Sequence, residues 1–147
     1  HMLDTIAREP LWRHLINYRC GTGHSVSFVG NVHEGPHALN GRNTTLMRPG
    51  MIVTDEPGVY DTDLVGIRIE NELVCVHKAD NQYGTFLGFE PIMFVPIATS
   101  PIVPGVLTKD ELDWLNNYHR QVFEKLAPRL NDEEREWLAK KCAAIGC

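Results

Sequence analysis

The sequence lacks the features that mark several large functional classes. Basic residues are in the minority: 14 Lys and Arg against 19 Asp and Glu leave a formal net charge of −5 at pH 7. That balance argues against a nucleic-acid module, which carries a basic patch, and against a polybasic membrane-surface module. No apolar run approaches the roughly 18 residues that a membrane-spanning helix needs. The longest candidates, such as Pro91 to Ala98, are strand-sized. The four cysteines (Cys20, Cys75, Cys142 and Cys147) include no Cys-x-x-Cys pair, which argues against a zinc ribbon or a thioredoxin-type motif. No stretch of these residues reads as a secretory signal, and a chain of this size needs no disulfide frame. Free thiols in a reducing cytosol are therefore expected. Repeats, low-complexity tracts and linkers are also missing.

What is present is a globular composition. Over 147 residues, 43% are hydrophobic and 22% charged, near the average for a single soluble domain. A chain of this length buries roughly 68–70% of its unfolded surface, enough for a core. His1-Met2 reads as a remnant of tag removal, which makes the starting point of the chain suspect as a natural boundary.

Periodicity predicts the elements. Leu3, Ile6, Leu11, Leu15 and Ile16 share one face of a helix over Leu3–Tyr18, with Pro10 as a possible kink. Cys20-Gly21-Thr22-Gly23-His24 ends that pattern, and its two glycines allow unusual backbone or a close approach. Gly35 to Asn43 is a loop. Met51–Asp55 reads as a strand stopped by Glu56-Pro57-Gly58. Val65–Val76 reads as a second strand, hairpin-paired with the first, and Phe86–Ile97 as a third, with Pro91 marking a bulge or an edge. Thr108 and Glu111 form a capping box for a helix to about Leu126. Asn131-Asp132-Glu133-Glu134 starts another, with Trp137, Leu138 and Cys142 facing inward. The order of helix, strands and two helices gives an α+β fold.

Four polar groups could carry chemistry. Strand alternation puts Arg68 and Glu70 on one face and Ile67 and Ile69 on the other. Arg68 can then orient the Glu70 carboxylate, or the two form a solvated ion pair. Glu56 closes a strand, where scaffolds present functional groups, or is an exposed turn carboxylate. His24 follows the glycine pair, as a ligand or as a structural histidine. His33-Glu34 supplies an acid and a base, or opens a polar loop. A histidine with carboxylates suits a hard divalent ion such as manganese.

Taken in order, Tyr18-Arg19-Cys20-Gly21-Thr22-Gly23-His24, Asn31-Val32-His33-Glu34-Gly35-Pro36, Pro49 to Gly58 and Gly66-Ile67-Arg68-Ile69-Glu70-Asn71 resemble aminopeptidase P, the Xaa-Pro aminopeptidase branch of the pita-bread metallopeptidases. Phe89-Glu90-Pro91, Val95-Pro96-Ile97 and Trp114 to His119 resemble the C-terminal end of the long, cytosolic eukaryotic-type form.

The resemblance implies the C-terminal half of a pita-bread fold: a curved antiparallel sheet with helices over residues 3–100 and a helical extension over 101–147. It implies two divalent ions, commonly manganese, held by two Asp, one His and two Glu. His24, Glu56 and Glu70 match the His and the two Glu. His33 matches the histidine that stabilises the developing oxyanion. Glu56 matches the proton acceptor, and Arg68 a partner of the last ligand. The implied substrates are peptides with proline second, and the implied setting is a cytoplasmic homodimer with no nucleic-acid or membrane partner.

Two departures stand out. Cys20 occupies a position where the family carries a histidine near the proline pocket. No Asp here matches the two Asp ligands, which the family places in the preceding half-domain. Metal binding by these residues alone is therefore expected to be weak or absent, and Xaa-Pro cleavage with it. The alternatives are a prolidase-like metallohydrolase, disfavoured by the Trp114-Leu115-Asn116 helix, and a non-catalytic peptide- or protein-binding relative, disfavoured by His24, Glu56 and Glu70.

Overall fold

The structure is a computed structural model that describes residues 1–146. It comprises three helices and seven strands among the described residues: α1 (Met2–Trp12), β1 (Gly23–His24), β2 (Ala38–Leu39), β3 (Ile52–Asp55), β4 (Gly58–Asp61), β5 (Val65–Arg68), β6 (Asn71–Asn81), β7 (Gly84–Pro91), α2 (Lys109–Leu126) and α3 (Asp132–Lys141). All the strand pairings are antiparallel, and the class is α+β. The chain forms two compact units, His1–Met93 and Phe94–Cys147.

In the first unit, α1 is shorter than its apolar spacing predicts. The Ile16 N–H returns to the Leu11 carbonyl and the Leu15 N–H to that of Trp12, both at 3.0 Å or less. Leu15 sits at φ +59°, filling the left-handed position that usually goes to glycine in this helix stop. The predicted inward face is also overturned. Leu15 is 97% exposed and Ile6 68%, whereas the residue that α1 buries is Asp4. A buried carboxylate needs partners, and Asp4 has two, Arg8 and Thr22.

The single strand expected over Val65–Val76 divides into β5 and β6 around Ile69-Glu70. β5 turns back on β4 (Gly58↔Arg68 to Asp61↔Val65), and β6 continues the same register along β3 (Ile52↔Val74 to Asp55↔Asn71). The predicted partnership of Met51–Asp55 is thus made with the second half only. β6 then runs past Val76 to Asn81 and folds back as β7 through Gln82-Tyr83. Gly84 takes φ +126° there, a conformation that L side chains resist. β7 is the edge of the β3-β6-β7 sheet and ends at Pro91, as a residue without an N–H requires.

The second unit packs α2 and α3 around Tyr118, Val122 and Leu138, with Phe94, Ile97 and Phe123 against them. Both helices start as read from the sequence: Thr108 with Glu111, and Asn131 with Glu134, form reciprocal capping boxes. Leu138 is buried, but Trp137 is 56% exposed, because neighbouring helix positions lie about 100° apart and cannot both face one core. Cys142 is half-buried at its edge.

His119 is fully buried, and its Nε2 accepts the Ile97 N–H at 3.0 Å. Burial lowers its pKa below the ordinary 6.5, because charging the ring costs solvation and breaks the Ile97 bond. The unfolded chain therefore binds more protons below pH 6.5, and the contribution of His119 to stability, full above that value, is lost as the pH falls through the folded pKa. Urea denaturation at about pH 7.5 and about pH 5.5 should show a weaker helical unit at the lower pH, and His119→Leu should flatten that dependence. Equal pH dependence in the variant would count against it.

Candidate active site

The site is built at the end of β3. Alternation places Thr54 and Glu56 on one side of the chain, and both are buried, at 2% and 8% exposure. The Thr54 hydroxyl donates to Glu56 Oε1 at 2.8 Å and accepts the His24 N–H at 3.0 Å. The Glu56 N–H donates to the Thr22 carbonyl at 2.7 Å. β1 and β3 can lie this close because Gly23 has no side chain: a Cβ there would fall 1.8 Å from the Thr54 carbonyl oxygen. The glycine serves a backbone-to-backbone approach, not the approach of a ligand.

His24 faces Glu56, with Nε2 3.0 Å from Oε1. Its Nδ1 lies 3.0 Å from the Ser25 carbonyl, which can only accept, so Nδ1 carries the proton. In the neutral ring, Nε2 then turns a lone pair toward a carboxylate oxygen, an arrangement that a shared cation satisfies. His33 lies edge-on to His24, with ring centroids 4.0 Å apart and planes at 71°. The turn that presents it is tied at its ends by the Ser25 hydroxyl and the Glu34 carbonyl. His37, on the same segment, is structural: it is buried and reaches the Ile52 carbonyl at 2.7 Å.

Arg68 is where the sequence reading needs correction. It does not pair with Glu70; its Nη1 donates to Glu56 Oε2 at 2.8 Å and its Nη2 to Cys20 Sγ at 3.6 Å. The break in the strand after Arg68 leaves Glu70 exposed in the β5–β6 connection. Cys20, His24, His33, Glu56 and Arg68 line one cleft of about 290 Å³, and Glu70 is not part of its lining. Among the described residues, no three His, Cys, Asp or Glu side chains gather as a metal cluster. His24 and Glu56 fit a shared divalent cation; the remaining donors are not assembled with them.

Beneath the site lies a network that residue patterns did not single out. Thr22, fully buried, donates to Asp4 Oδ1 at 2.6 Å and bonds the Tyr18 hydroxyl at 2.6 Å. Arg8 pairs with Asp4 at 2.9 Å, covers the Tyr18 ring and donates to the carbonyls of Tyr18 and Cys20. Burial alone would raise the Asp4 pKa, but the bonds from Arg8 and Thr22 outweigh it and hold the carboxyl below its usual range. Asp55, beside Glu56, goes the other way, raised by burial and by the neighbouring negative charge. The i, i+4 spacing of Asp4 and Arg8 was the available signal.

Comparison with known proteins settles the family. Residues 1–77 match the model of metallopeptidase family M24, and residues 85–145 match the C-terminal region of peptidase M24. The chain belongs to metallopeptidase family M24. Aminopeptidase P1 of Lotus japonicus is 43% identical over 153 aligned residues, covering 99% of this chain and 23% of the relative. Aminopeptidase P2 of Arabidopsis thaliana is 45% identical over 144 residues, covering 93% and 20%. Among solved structures, the X-prolyl aminopeptidase of Caenorhabditis elegans, described as a cytosolic enzyme with a di-nuclear active site, superposes with a TM-score of 0.87 at 38% identity, over 98% of this chain and 24% of that one. That likeness shows the α+β pita-bread fold of the M24 proteins. The chain spans roughly a fifth to a quarter of the length of these relatives.

The buried network carries the floor of this M24 site. Asp4→Ala leaves the Arg8 charge without its partner and should cost about 3 kcal/mol. Thr22→Val should cost about 1–3 kcal/mol by stranding Asp4 and Tyr18. Urea denaturation followed by circular dichroism measures both; losses well under 1 kcal/mol would show that the network is not structural.

Proposed function

We propose that the full-length protein carrying this chain is a metal-dependent aminopeptidase that removes the first residue from peptides with proline in second position. The observation that carries the reading is the Glu56 carboxylate, held by Thr54 and Arg68 with its Oε1 3.0 Å from the His24 ring nitrogen. In this reading His24, Glu56 and Glu70 hold divalent metal, joined by two Asp from outside these residues. The metal supplies Lewis acidity and an activated water. The hard, carboxylate-rich donor set favours manganese, and the likeness to a cytosolic di-nuclear enzyme supports two ions and a cytoplasmic setting. A homodimer of the full-length protein belongs to the same reading, and it rests on the family resemblance alone.

Each side chain then has a task. Glu56 takes a proton at Oε1 and delivers it to the leaving imino nitrogen of proline. Arg68, on Oε2 at 2.8 Å, keeps that carboxylate oriented. His33 donates to the negative charge that develops on the scissile carbonyl oxygen, a contribution typically of about 10²–10³ in rate. Cys20, in place of the family's histidine, offers the proline side of the cleft a thiol that cannot become a cation.

These 147 residues alone hold three of the five expected donors and should be inactive. A peptide beginning Arg-Pro, incubated with manganese, should lose its first residue to the full-length protein and not to this chain. Release by the chain alone would overturn the division of ligands, and no release by the full-length protein would overturn the activity. Cys20→His in the full-length protein should preserve or raise kcat/KM on that peptide, and a large loss would count against the assignment of that position.

A further inference from the structure

The first unit carries a second cleft beside the candidate active site, of about 860 Å³, and its charge is opposite to that of the chain as a whole. Arg8, Arg19 and Arg42 line it. Arg8 is neutralised by Asp4, whereas Arg19 and Arg42 are exposed, and among the described residues no ion pair holds either guanidinium. Asn40 also lines the cleft, its amide oxygen taken by the N–H groups of Arg42 and Asn43 at 2.9 Å each. Its amide nitrogen is thereby left as a donor. The cleft thus presents two arginine forks and an amide N–H₂ and no uncompensated carboxylate. It shares Cys20, Gly21 and Asn40 with the cleft that holds His24, His33 and Glu56, so the two are continuous across that rim.

Planar guanidinium forks match carboxylates, which they bind through paired charge-assisted hydrogen bonds. A peptide cleaved at its first bond has one cationic end, the amine, and beyond proline an end or side chain that can be anionic. Two arginines repel the amine and attract the anion, so charge alone orients the leaving part of the substrate toward Arg19 and Arg42. We propose that Arg19 and Arg42 form a carboxylate-binding subsite, which makes the preferred substrates Xaa-Pro peptides with a carboxylate at the third residue. The carboxylate is either the free C-terminus of a tripeptide or an acidic side chain. The proposal rests on the peptidase reading above for its substrate, and on the arginine cleft for its selectivity.

The test measures kcat/KM of the full-length protein with manganese on three peptides: Ala-Pro-Ala with a free C-terminus, Ala-Pro-Ala amide and Ala-Pro-Glu amide. Each carboxylate peptide that the subsite accepts should exceed the amide by about tenfold, and raised salt should shrink the ratio. A preference confined to the first peptide assigns the subsite to the C-terminus; one confined to the third assigns it to an acidic side chain. Arg19→Gln with Arg42→Gln should bring the ratio near one, and Arg19→Glu with Arg42→Glu should invert it. A wild-type ratio near one for both peptides, or a preference that survives the double substitution, overturns the proposal. If none of the three is cleaved, the peptidase reading fails and the cleft is judged by calorimetry with Pro-Ala and Pro-Ala amide. Tighter binding of the acid that disappears in the double variant supports the subsite, and equal binding overturns it.

Discussion

The close approach of Gly23 to the Thr54 carbonyl is the constraint on which the rest of the site depends. Two backbones come together with no room for a side chain between them, and three consequences follow. The Thr54 hydroxyl reaches the His24 N–H, the Thr22 carbonyl reaches the Glu56 N–H, and the His24 ring is set against the Glu56 carboxylate. A buried carboxylate is tolerable only when its oxygens are occupied. Glu56 meets that condition with a hydroxyl on one oxygen and a guanidinium on the other. The geometry of His24 and Glu56 is therefore set by backbone contact.

Charge is distributed unevenly around this point. Asp4 and Arg8 cancel beneath the site while tying α1 to the segment that leads to β1. Arg68 offsets Glu56 at its mouth. Among the described residues, Arg19 and Arg42 have no ion-pair partner at the neighbouring cleft. The negative overall balance thus coexists with a basic region, and a low-dielectric floor makes both fields stronger than the formal charges suggest.

The sequence made much of this legible. The capping box at Thr108 and the helix start at Asn131 were readable because such signals are local, with a side chain meeting a backbone group three residues on. The edge position of Pro91 followed from its missing N–H. His24, His33 and Glu56 were readable as candidates from motif order, and they do share one cleft. The inward face of α1 was misread because hydrophobic spacing reports only what burial of apolar groups would favour. Asp4 is buried by hydrogen bonds instead, and Leu15 is turned outward by the helix stop. The break at Ile69-Glu70 was hidden because both flanking segments alternate in the same way.

What the sequence by itself determined was the inventory and its local rules: the family's ordered motifs, the α+β order, the helix starts and the histidines and carboxylates that are candidates for the site. What only the tertiary structure decided was who meets whom. Arg68 serves Glu56 and Cys20 because β5 and β6 return along β4 and β3 in one register, which brings residue 68 back beside residues 56 and 58, a pairing that no local pattern encodes. Glu70 falls opposite Glu56 in the register that the two ladders share, yet it is exposed and does not line the cleft. Thr22, Asp4 and Thr54 matter because burial turns ordinary hydroxyls and carboxylates into groups that must find one another.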